Sequence, residues 1–274
     1  MDAPISISVF CIWRDAESYI ERTLRQLEDL ESLNGFTFSY FFYENDSKDN
    51  TAKILEKWLD LRKGLFLSEK LNAKKFASTA CNDRMKFLCE CRNKGKLLAG
   101  KNESDYSLVF DSDIEFSKDN FLTLINDIKN LSKAVMVTPN VRQNISDLVF
   151  AATEDSYYDV YPFRDKHGHD GIYFSDCPSF NREDQFNWKI GKPISCSAAF
   201  GGFSLIKSSA FNEVSWTSDV KCDHVNLCYD LHQYGVIYCN PRNKVYTTVD
   251  LSQIDLNACA QIANQQKDIY DKYF

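Results

Sequence analysis

The chain of 274 residues has only ten glycines, and none of them falls into the phosphate-binding patterns Gly-x-Gly-x-x-Gly or Gly-x-x-x-x-Gly-Lys-Ser/Thr. Their absence argues against an NAD-dependent enzyme and against an ATPase. No apolar run approaches the length of about 20 residues that crosses a bilayer, and the N-terminus has no signal-peptide pattern. We therefore expect no membrane span and a soluble, cytoplasmic protein, from a bacterial or virus-infected cell rather than a Golgi lumen.

Positive charge is also in the minority, because 32 Lys and Arg residues face 39 Asp and Glu residues, for a formal net charge of −7. Nucleic-acid backbones are bound by excess positive charge, so no nucleic-acid partner is expected. An acidic protein can still bind a polyphosphate ligand when a metal ion bridges the two. The ten cysteines lie mostly inside apolar runs of a chain too long for a small disulfide-held fold. We expect reduced thiols.

Strand-like and helix-like segments alternate five times in the first half of the chain. The strands are short runs rich in aromatic and β-branched residues, and each helix has apolar residues at helical spacing on one face. Such alternation predicts an α/β fold with a mostly parallel, Rossmann-like sheet flanked by helices. Asp15 is a plausible N-cap of the first helix and Ser117 of the fourth. The predicted strands cover 5–12, 36–43, 65–67, 106–111 and 134–138, and a basic helix covers about 81–99.

The strand at 106–111 is the segment around which the rest of the chain is interpreted, because it runs directly into acidic residues. Asp111 and Asp113 point the same way on an extended segment, and they form the only Asp-x-Asp in the sequence. Paired carboxylates at a strand end offer the hard oxygen ligands that Mg²⁺ and Mn²⁺ prefer, and the cation can in turn hold phosphates. A polar loop that simply closes a strand is the alternative.

Polar residues follow the first two strands as well, with Arg14 after one and Glu44 and Asp46 after the other. In open α/β sheets, ligands bind at the carboxyl ends of the strands. We therefore expect these side chains to converge with Asp111 and Asp113 on one crevice.

The alternation breaks down from about residue 140. The segment 155–188 is rich in Tyr, Phe, Asp and Asn and is interpreted as loops or short strands over the cleft. Its side chains suit sugar rings, although packing for stability explains them equally well. Gly201 and Gly202 precede an apolar strand, where they allow close approach of a ligand or form a bulge. Asp223 and His224 open a helix that stops at Gly235, a strand follows at 236–239, and the tail is polar and helical.

The order and spacing of these motifs resemble glycosyltransferases of the GT-A fold. The resemblance extends to about residue 245 and is greatest to capsule-associated fungal α-mannosyltransferases and to soluble chlorovirus-type glycosyltransferases. It implies one domain, with a nucleotide-sugar-binding half at 1–138, a smaller acceptor and catalytic half at 139–245, and a C-terminal helix at 246–274. The matching segments are 9–14, 43–51, 84–93, 109–113, 199–203 and 222–227.

The resemblance implies a role for each candidate residue. Asp111 and Asp113 would hold Mn²⁺ or Mg²⁺ on the diphosphate of a nucleotide-sugar donor, with His224 completing the metal shell. Glu44 and Asp46 would accept hydrogen bonds from the base or ribose. Gly202 would lie against the donor. Forked hydrogen bonds to base carbonyls or phosphates would come from Arg14, Arg84 and Arg92, for each of which a structural ion pair is the alternative.

Asp223 is the predicted general base, since inverting members of this fold place a carboxylate near the start of the late helix to deprotonate the acceptor hydroxyl. The alternative is that Asp223 only caps the helix. Without a base, a retaining, GDP-mannose-dependent mannosyltransferase becomes possible. A UDP-linked donor such as UDP-xylose or a UDP-hexose is favoured by the general habit of the fold, and the acceptor would be a hydroxyl of a glycan or glycoprotein.

Three other interpretations compete with this one. A nucleotidyltransferase would need a glycine-rich loop after the first strand, and none is present. A non-catalytic carbohydrate-binding protein of the same fold would bind donor without turning it over. His224, Cys228 and His232 recur every four residues and form a weak zinc pattern, and His167 or His169 is an alternative to His224 beside the aspartates.

Overall fold

The computed structural model describes residues 3–73, 76, 81–144, 156–173, 175–217 and 222–248. Within these ranges the strands are β1 (Ile5–Trp13), β2 (Phe36–Asn45), β3 (Gly64–Glu69), β4 (Tyr106–Asp111), β5 (Ile114–Glu115), β6 (Ala134–Asn144), β7 (Arg164–Asp165), β8 (Ile194–Ala198), β9 (Phe203–Lys207) and β10 (Val236–Thr248). The helices are α1 (Ile20–Glu31), α2 (Thr51–Leu59), α3 (Asn82–Leu97), α4 (Lys118–Asn130), α5 (Arg182–Lys189), α6 (Ser208–Phe211) and α7 (Asp223–Leu231).

All ten strands join one sheet, in the order β3-β2-β1-β4-β9-β6-β10-β8-β7, with β5 paired to β10. Strands β3, β2, β1 and β4 are parallel, as are β6 and β10. Strand β9 is antiparallel to both of its neighbours, β4 and β6, so those two strands run in the same direction. The predicted α/β fold with a large, mostly parallel sheet and flanking helices is confirmed. The carboxyl ends of β1, β2, β4 and β6 share one edge of the sheet.

The centre of the sheet is apolar on both faces, as helices on both sides require. Consecutive residues of β4, from Leu108 to Phe110, are all buried, and Val9 to Cys11 of β1 are buried beside them. Helix α1 covers part of one face with Ile20, Leu24, Leu27 and Leu30, the apolar residues whose spacing predicted it. None of the helices in the described ranges is both long enough and apolar enough to cross a bilayer.

Several predicted elements differ from those observed. Asp15 does not cap α1, because the helix begins at Ile20 with Tyr19 as N-cap. Asp15 has a left-handed φ of 48° and instead accepts a hydrogen bond from the backbone N–H of Lys48. The end of the aromatic segment, predicted to form loops or short strands, is instead the helix α5. Strand β10 continues to Thr248, so residues 246–248 are not helical as predicted, and the rest of the predicted C-terminal helix lies outside the described residues.

The predicted cap of α4 is confirmed. Ser117 accepts a hydrogen bond from the backbone N–H of Asn120, and the Asn120 side chain accepts one from the backbone N–H of Ser117. We expect Ser117→Ala to lower the free energy of unfolding by about 1 kcal/mol, because one N-terminal N–H loses its partner. Urea unfolding measures this. Ser117→Gly should lose only a few tenths of a kcal/mol, and equal losses in the two variants would contradict a capping role.

Candidate active site

Asp111 and Asp113 lie at the carboxyl edge of the sheet, at the end of β4 and in the turn that follows it. Oδ2 of Asp113 accepts a hydrogen bond of 2.9 Å from the Thr247 hydroxyl at the end of β10. Its backbone oxygen accepts one of 2.9 Å from Nη2 of Arg22. None of the described residues donates a hydrogen bond to the other carboxylate oxygen of Asp113, Oδ1. The turn is therefore held from two sides, with one carboxylate oxygen available.

Arg92 on α3 joins two carboxylates that are far apart in the sequence. Its Nη2 lies 3.0 Å from Oδ1 of Asp111, and its Nε lies 2.7 Å from Oδ2 of Asp223 at the start of α7. The guanidinium also lies over the ring of Phe200. The Arg92 side chain is only 8% exposed. Burial lowers the pKa of Arg92, but the two carboxylates raise it more, so the guanidinium stays charged.

Asp223 and His224 form the buried side of this network. Burial raises the pKa of Asp223, yet His224 and Arg92 lower it well below its usual range. Burial lowers the pKa of His224 to about 4, so the imidazole is neutral at pH 7. It stacks on Phe200 with ring centroids 3.6 Å apart, and its Nδ1 accepts a hydrogen bond from the indole N–H of Trp216. The ring hydrogen is therefore on Nε2, which lies 3.7 Å from Oδ2 of Asp223.

Gly201 and Gly202 form a left-handed turn against Asp111, with φ angles of 63° and 62°. The backbone N–H of Asp111 donates to the oxygen of Gly202 at 2.8 Å. A Cβ on Gly202 would lie 2.5 Å from Cδ1 of Ile114 and 3.8 Å from Oδ2 of Asp111. The positive φ and the contact with Ile114 therefore require glycine at this position beside Asp111.

Asp159 joins the site, although the sequence analysis did not single it out. Its Oδ2 accepts a hydrogen bond of 2.8 Å from the backbone N–H of Gly201. Burial, followed by the negative charges of Asp111 and Asp223, raises the pKa of Asp159 to about 7, against the lowering effects of the Gly201 N–H and of Arg92. The only signal in the sequence was its place in the aromatic segment, where no motif distinguishes it from other aspartates.

The fold and this edge can be compared with solved structures. TarS from S. aureus, residues 1–349, aligns with a TM-score of 0.52 at 12% identity, covering 89% of this chain and 60% of that one. GalNAc-T7 with UDP, GalNAc and Mn²⁺ aligns with a TM-score of 0.59 at 14% identity, covering 92% and 45%. This chain has the GT-A glycosyltransferase fold.

A third GT-A structure, a mannosyltransferase from Pyrobaculum calidifontis with GDP-Man and Mn²⁺, aligns with a TM-score of 0.52 at 10% identity, covering 92% of this chain and 59% of that one. The chain thus spans less than two thirds of the length of each of these three. No family model matches the sequence, and no curated protein matches it. The finer resemblance to fungal and chlorovirus-type enzymes stays a prediction.

In this GT-A fold, the predicted nucleoside ligands Glu44 and Asp46 have structural partners. The buried carboxylate of Glu44 accepts hydrogen bonds from the backbone N–H of Ser47 and from the Ser68 hydroxyl. Asp46 accepts hydrogen bonds from the backbone N–H groups of Asn72 and Ala73. Burial raises the pKa of Asp46, but these and a bond from the Asn45 side chain lower it overall. Both carboxylates therefore order the loops after β2 and β3, and their contact with a nucleoside stays a prediction.

The three arginines predicted to bind the donor are not equivalent in the GT-A fold. Arg92 is at the centre of the site. Arg14 lies at the end of β1 with its Nε 3.8 Å from Asp15. Arg84 is in the first turn of α3, near Tyr161 in the segment that follows β6. Burial raises the pKa of Tyr161, and the charge of Arg84 offsets a small part of that rise. Donor contacts by Arg14 and Arg84 stay predictions.

The two aspartates fit a divalent cation, whereas His224 does not. Oδ2 of Asp111 and Oδ1 of Asp113 are hard oxygen donors that the neighbouring hydrogen bonds leave available. Nε2 of His224 carries the ring hydrogen, so it has no lone pair for a metal. Nδ1 already accepts the hydrogen bond from the indole N–H of Trp216. Within the described residues no three His, Cys, Asp or Glu side chains are grouped to hold a metal ion.

This absence of a ligand group in the described residues also means that the weak zinc pattern on α7 does not form a metal site. Cys228 donates its S–H to the backbone oxygen of Ala199, and Nε2 of His232 lies 2.9 Å from the backbone oxygen of Ser197. His169 pairs with Asp165, outside the Arg92 network.

Proposed function

We propose that this chain is a glycosyltransferase that moves a sugar from a nucleotide-sugar donor to a hydroxyl of a glycan or glycoprotein. The observation that carries the proposal is the ion network in which buried Arg92 joins buried Asp223 to the partly exposed Asp111, at the carboxyl edge of a GT-A sheet. Structures of the same fold were determined with UDP-GlcNAc, with UDP and Mn²⁺, and with GDP-Man and Mn²⁺. These complexes support a nucleotide-sugar donor and a divalent metal.

Asp111 and Asp113 are the residues that would hold Mn²⁺ or Mg²⁺. A bound cation would offset the negative charge that develops on the nucleoside diphosphate as it leaves. Arg92 fixes Oδ1 of Asp111 and so directs Oδ2 toward the open side beside Gly202. Thr247 does the same for Asp113 by occupying its Oδ2. The protein thereby presents two oriented oxygens before any ligand arrives, which lowers the cost of binding.

A UDP-linked donor, such as UDP-xylose or a UDP-hexose, is our first choice, and an inverting reaction our proposed stereochemistry. Asp223 was predicted to be the base of that reaction. Its position supports another role, because Oδ2 accepts a hydrogen bond from Arg92 and the side chain is only 6% exposed. The ion pair with Arg92 also makes this carboxylate a weak proton acceptor. We therefore assign to Asp223 the positioning of Arg92.

Release of nucleoside diphosphate tests the proposed function. The purified protein is incubated with a panel of UDP- and GDP-sugars, with Mn²⁺ or with a chelator. We expect one donor to be turned over in the presence of metal, and turnover to fall at least about 100-fold in Asp113→Ala, because one of two carboxylate ligands is lost. The control is Asp119→Ala, since Asp119 is an exposed carboxylate in the first turn of α4, and it should retain wild-type turnover.

Two outcomes would contradict the proposal in different ways. Turnover that is unaffected by chelator and by Asp113→Ala would reject the metal role. Donor binding without turnover in any combination of sugar and metal would instead favour a non-catalytic carbohydrate-binding protein. Equilibrium binding of the same donors by calorimetry separates the second outcome from a donor missing from the panel.

A further inference from the structure

The carboxylate that accepts a proton from the attacking hydroxyl must have a free oxygen and must be accessible to the acceptor. Asp223 meets neither condition. Oδ2 is bonded to Arg92 and faces His224, and Oδ1 lies 3.6 Å from the Cys222 thiol. A proton placed on Oδ2 would also have to displace Arg92, which would leave Asp111 without its partner.

Asp159 meets both conditions. Its side chain is half-buried rather than enclosed. Oδ2 is oriented by the Gly201 N–H, and no hydrogen bond to Oδ1 from the described residues is present. One oxygen is thus fixed by the protein while the other is available to a ligand.

The backbone around Asp159 is fixed to the sheet. The N–H of Tyr158 donates to the oxygen of Val141 on β6, at 2.9 Å, and the N–H of Phe163 donates to the oxygen of Val160 at 3.0 Å. Tyr157 and Val160, on either side, are buried. Asp159 is therefore a polar residue flanked by buried residues. Its backbone position is fixed, although its own side chain is not part of the core.

Asp159 also lies close to Asp111, one of the two proposed metal ligands. The N–H that it accepts belongs to Gly201, and the next residue, Gly202, accepts the N–H of Asp111. Asp159 and Asp111 are thus connected through two consecutive residues of one tight turn. The carboxylate is close enough to Asp111, Asp223 and Arg92 for all three charges to affect it.

We propose that Asp159 is the general base of the transfer reaction, an inference that rests on the proposed glycosyltransferase function. Oδ1 of Asp159 takes the proton of the acceptor hydroxyl as the acceptor oxygen forms a bond to the anomeric carbon. The bond between that carbon and the diphosphate oxygen breaks, and the electron pair leaves with the nucleoside diphosphate. The anomeric configuration is inverted.

The surroundings of Asp159 match this role. The Gly201 N–H holds one oxygen of the Asp159 carboxylate in place, and the other oxygen is available to a proton donor such as an acceptor hydroxyl. Asp223, with a pKa far below its usual range, stays ionised and bound to Arg92. Asp223 therefore positions Arg92, and Asp159 accepts the proton.

The test compares Asp159→Asn with wild type in the donor-release assay, with water or sodium azide as the nucleophile. Asn keeps an oxygen for the Gly201 N–H but cannot accept a proton. We expect kcat for nucleoside diphosphate release to fall about 100-fold or more, with KM for the donor within about twofold of wild type. Azide attacks without losing a proton, so it should restore release and give a glycosyl azide of inverted configuration.

Asp170→Asn is the matched control, because Asp170 is 72% exposed in the same segment and pairs only with Arg164 among the described residues. It should leave kcat unchanged. Thermal unfolding midpoints of all variants are measured first, and Asp159→Ser, which retains an acceptor for the Gly201 N–H, replaces Asp159→Asn if the latter does not fold.

Three results would overturn the assignment. They are a kcat in Asp159→Asn within tenfold of wild type, a folded Asp159→Asn that azide does not restore, and a product of retained configuration. A wild-type protein inactive on every donor would reject the proposed function itself. An active wild type with an equally active Asp159→Asn would reject only the base.

Discussion

Replacing Arg92 with methionine is expected to lower the free energy of unfolding by about 3–5 kcal/mol and to abolish sugar transfer. The reason is that Asp111 and Asp223 would remain at the site without the cation between them. Methionine fills a similar volume, so the loss reports the missing charge and its hydrogen bonds more than a cavity. Urea unfolding followed by tryptophan fluorescence gives the stability, and nucleoside diphosphate release gives the activity.

A double variant identifies the source of this loss. Arg92→Met combined with Asp223→Asn should be more stable than the sum of the single effects predicts, because removal of one carboxylate relieves the charge that Arg92→Met leaves unpaired. Arg25→Met is the control, since Arg25 pairs with Glu21 on the exposed face of α1 and should cost less than about 1 kcal/mol. A loss below about 1 kcal/mol in Arg92→Met would contradict a network of three ionised groups.

Gly201→Ala is expected to lower the free energy of unfolding by about 2–4 kcal/mol, from left-handed backbone strain and from overpacking. A Cβ on Gly201 would lie 2.8 Å from the backbone oxygen of Pro139, which cannot rotate away. Relief of that contact must move the N–H that holds Asp159 and, through Gly202, the backbone of Asp111. Donor turnover should therefore fall at least about 100-fold even at temperatures where the variant remains folded.

Gly100→Ala is a close control for this prediction. Gly100 has a φ of 59°, against 63° for Gly201, but nothing lies within 4 Å of its Cβ position. It should cost only the left-handed strain, about 1 kcal/mol, with unchanged turnover. Equal losses of stability and turnover in the two alanine variants would mean that the Gly201 turn can shift to accept a methyl group without disturbing the site.

The sequence predicted well those features that depend on neighbours along the chain. The apolar face of α1 and the cap of α4 each follow from a few consecutive residues, and both agree with the structure. Asp111 and Asp113 were placed at a strand end because an apolar run ends there. Asp15 is the exception among these local predictions. Instead of capping α1, its carboxylate accepts a hydrogen bond from the backbone of the loop after β2.

Contacts across the chain could not be predicted in this way. Arg92 and Asp223 are separated by 131 positions, and Thr247 and Asp113 by 134. Only the order of strands in the sheet brings them together. The orientation of the His224 ring depends on Trp216, so a sequence pattern that identified the histidine gave no information about which nitrogen faces the site. Asp159 was missed for the same reason, because its importance comes from the Gly201 turn.

The position of β9 between β4 and β6 affects when the candidate site can form during synthesis. Strands β3, β2, β1 and β4 can pair as soon as residue 111 has left the ribosome, but β6 has no neighbour of its own until β9 follows it. Arg92 lacks its partner Asp223 until α7 has been synthesised, and Asp113 lacks Thr247 until β10 has been synthesised. Long-range pairing of this kind folds slowly. The nascent chain therefore carries an incomplete candidate site from the completion of β4 until β10 docks, which is about half of its synthesis.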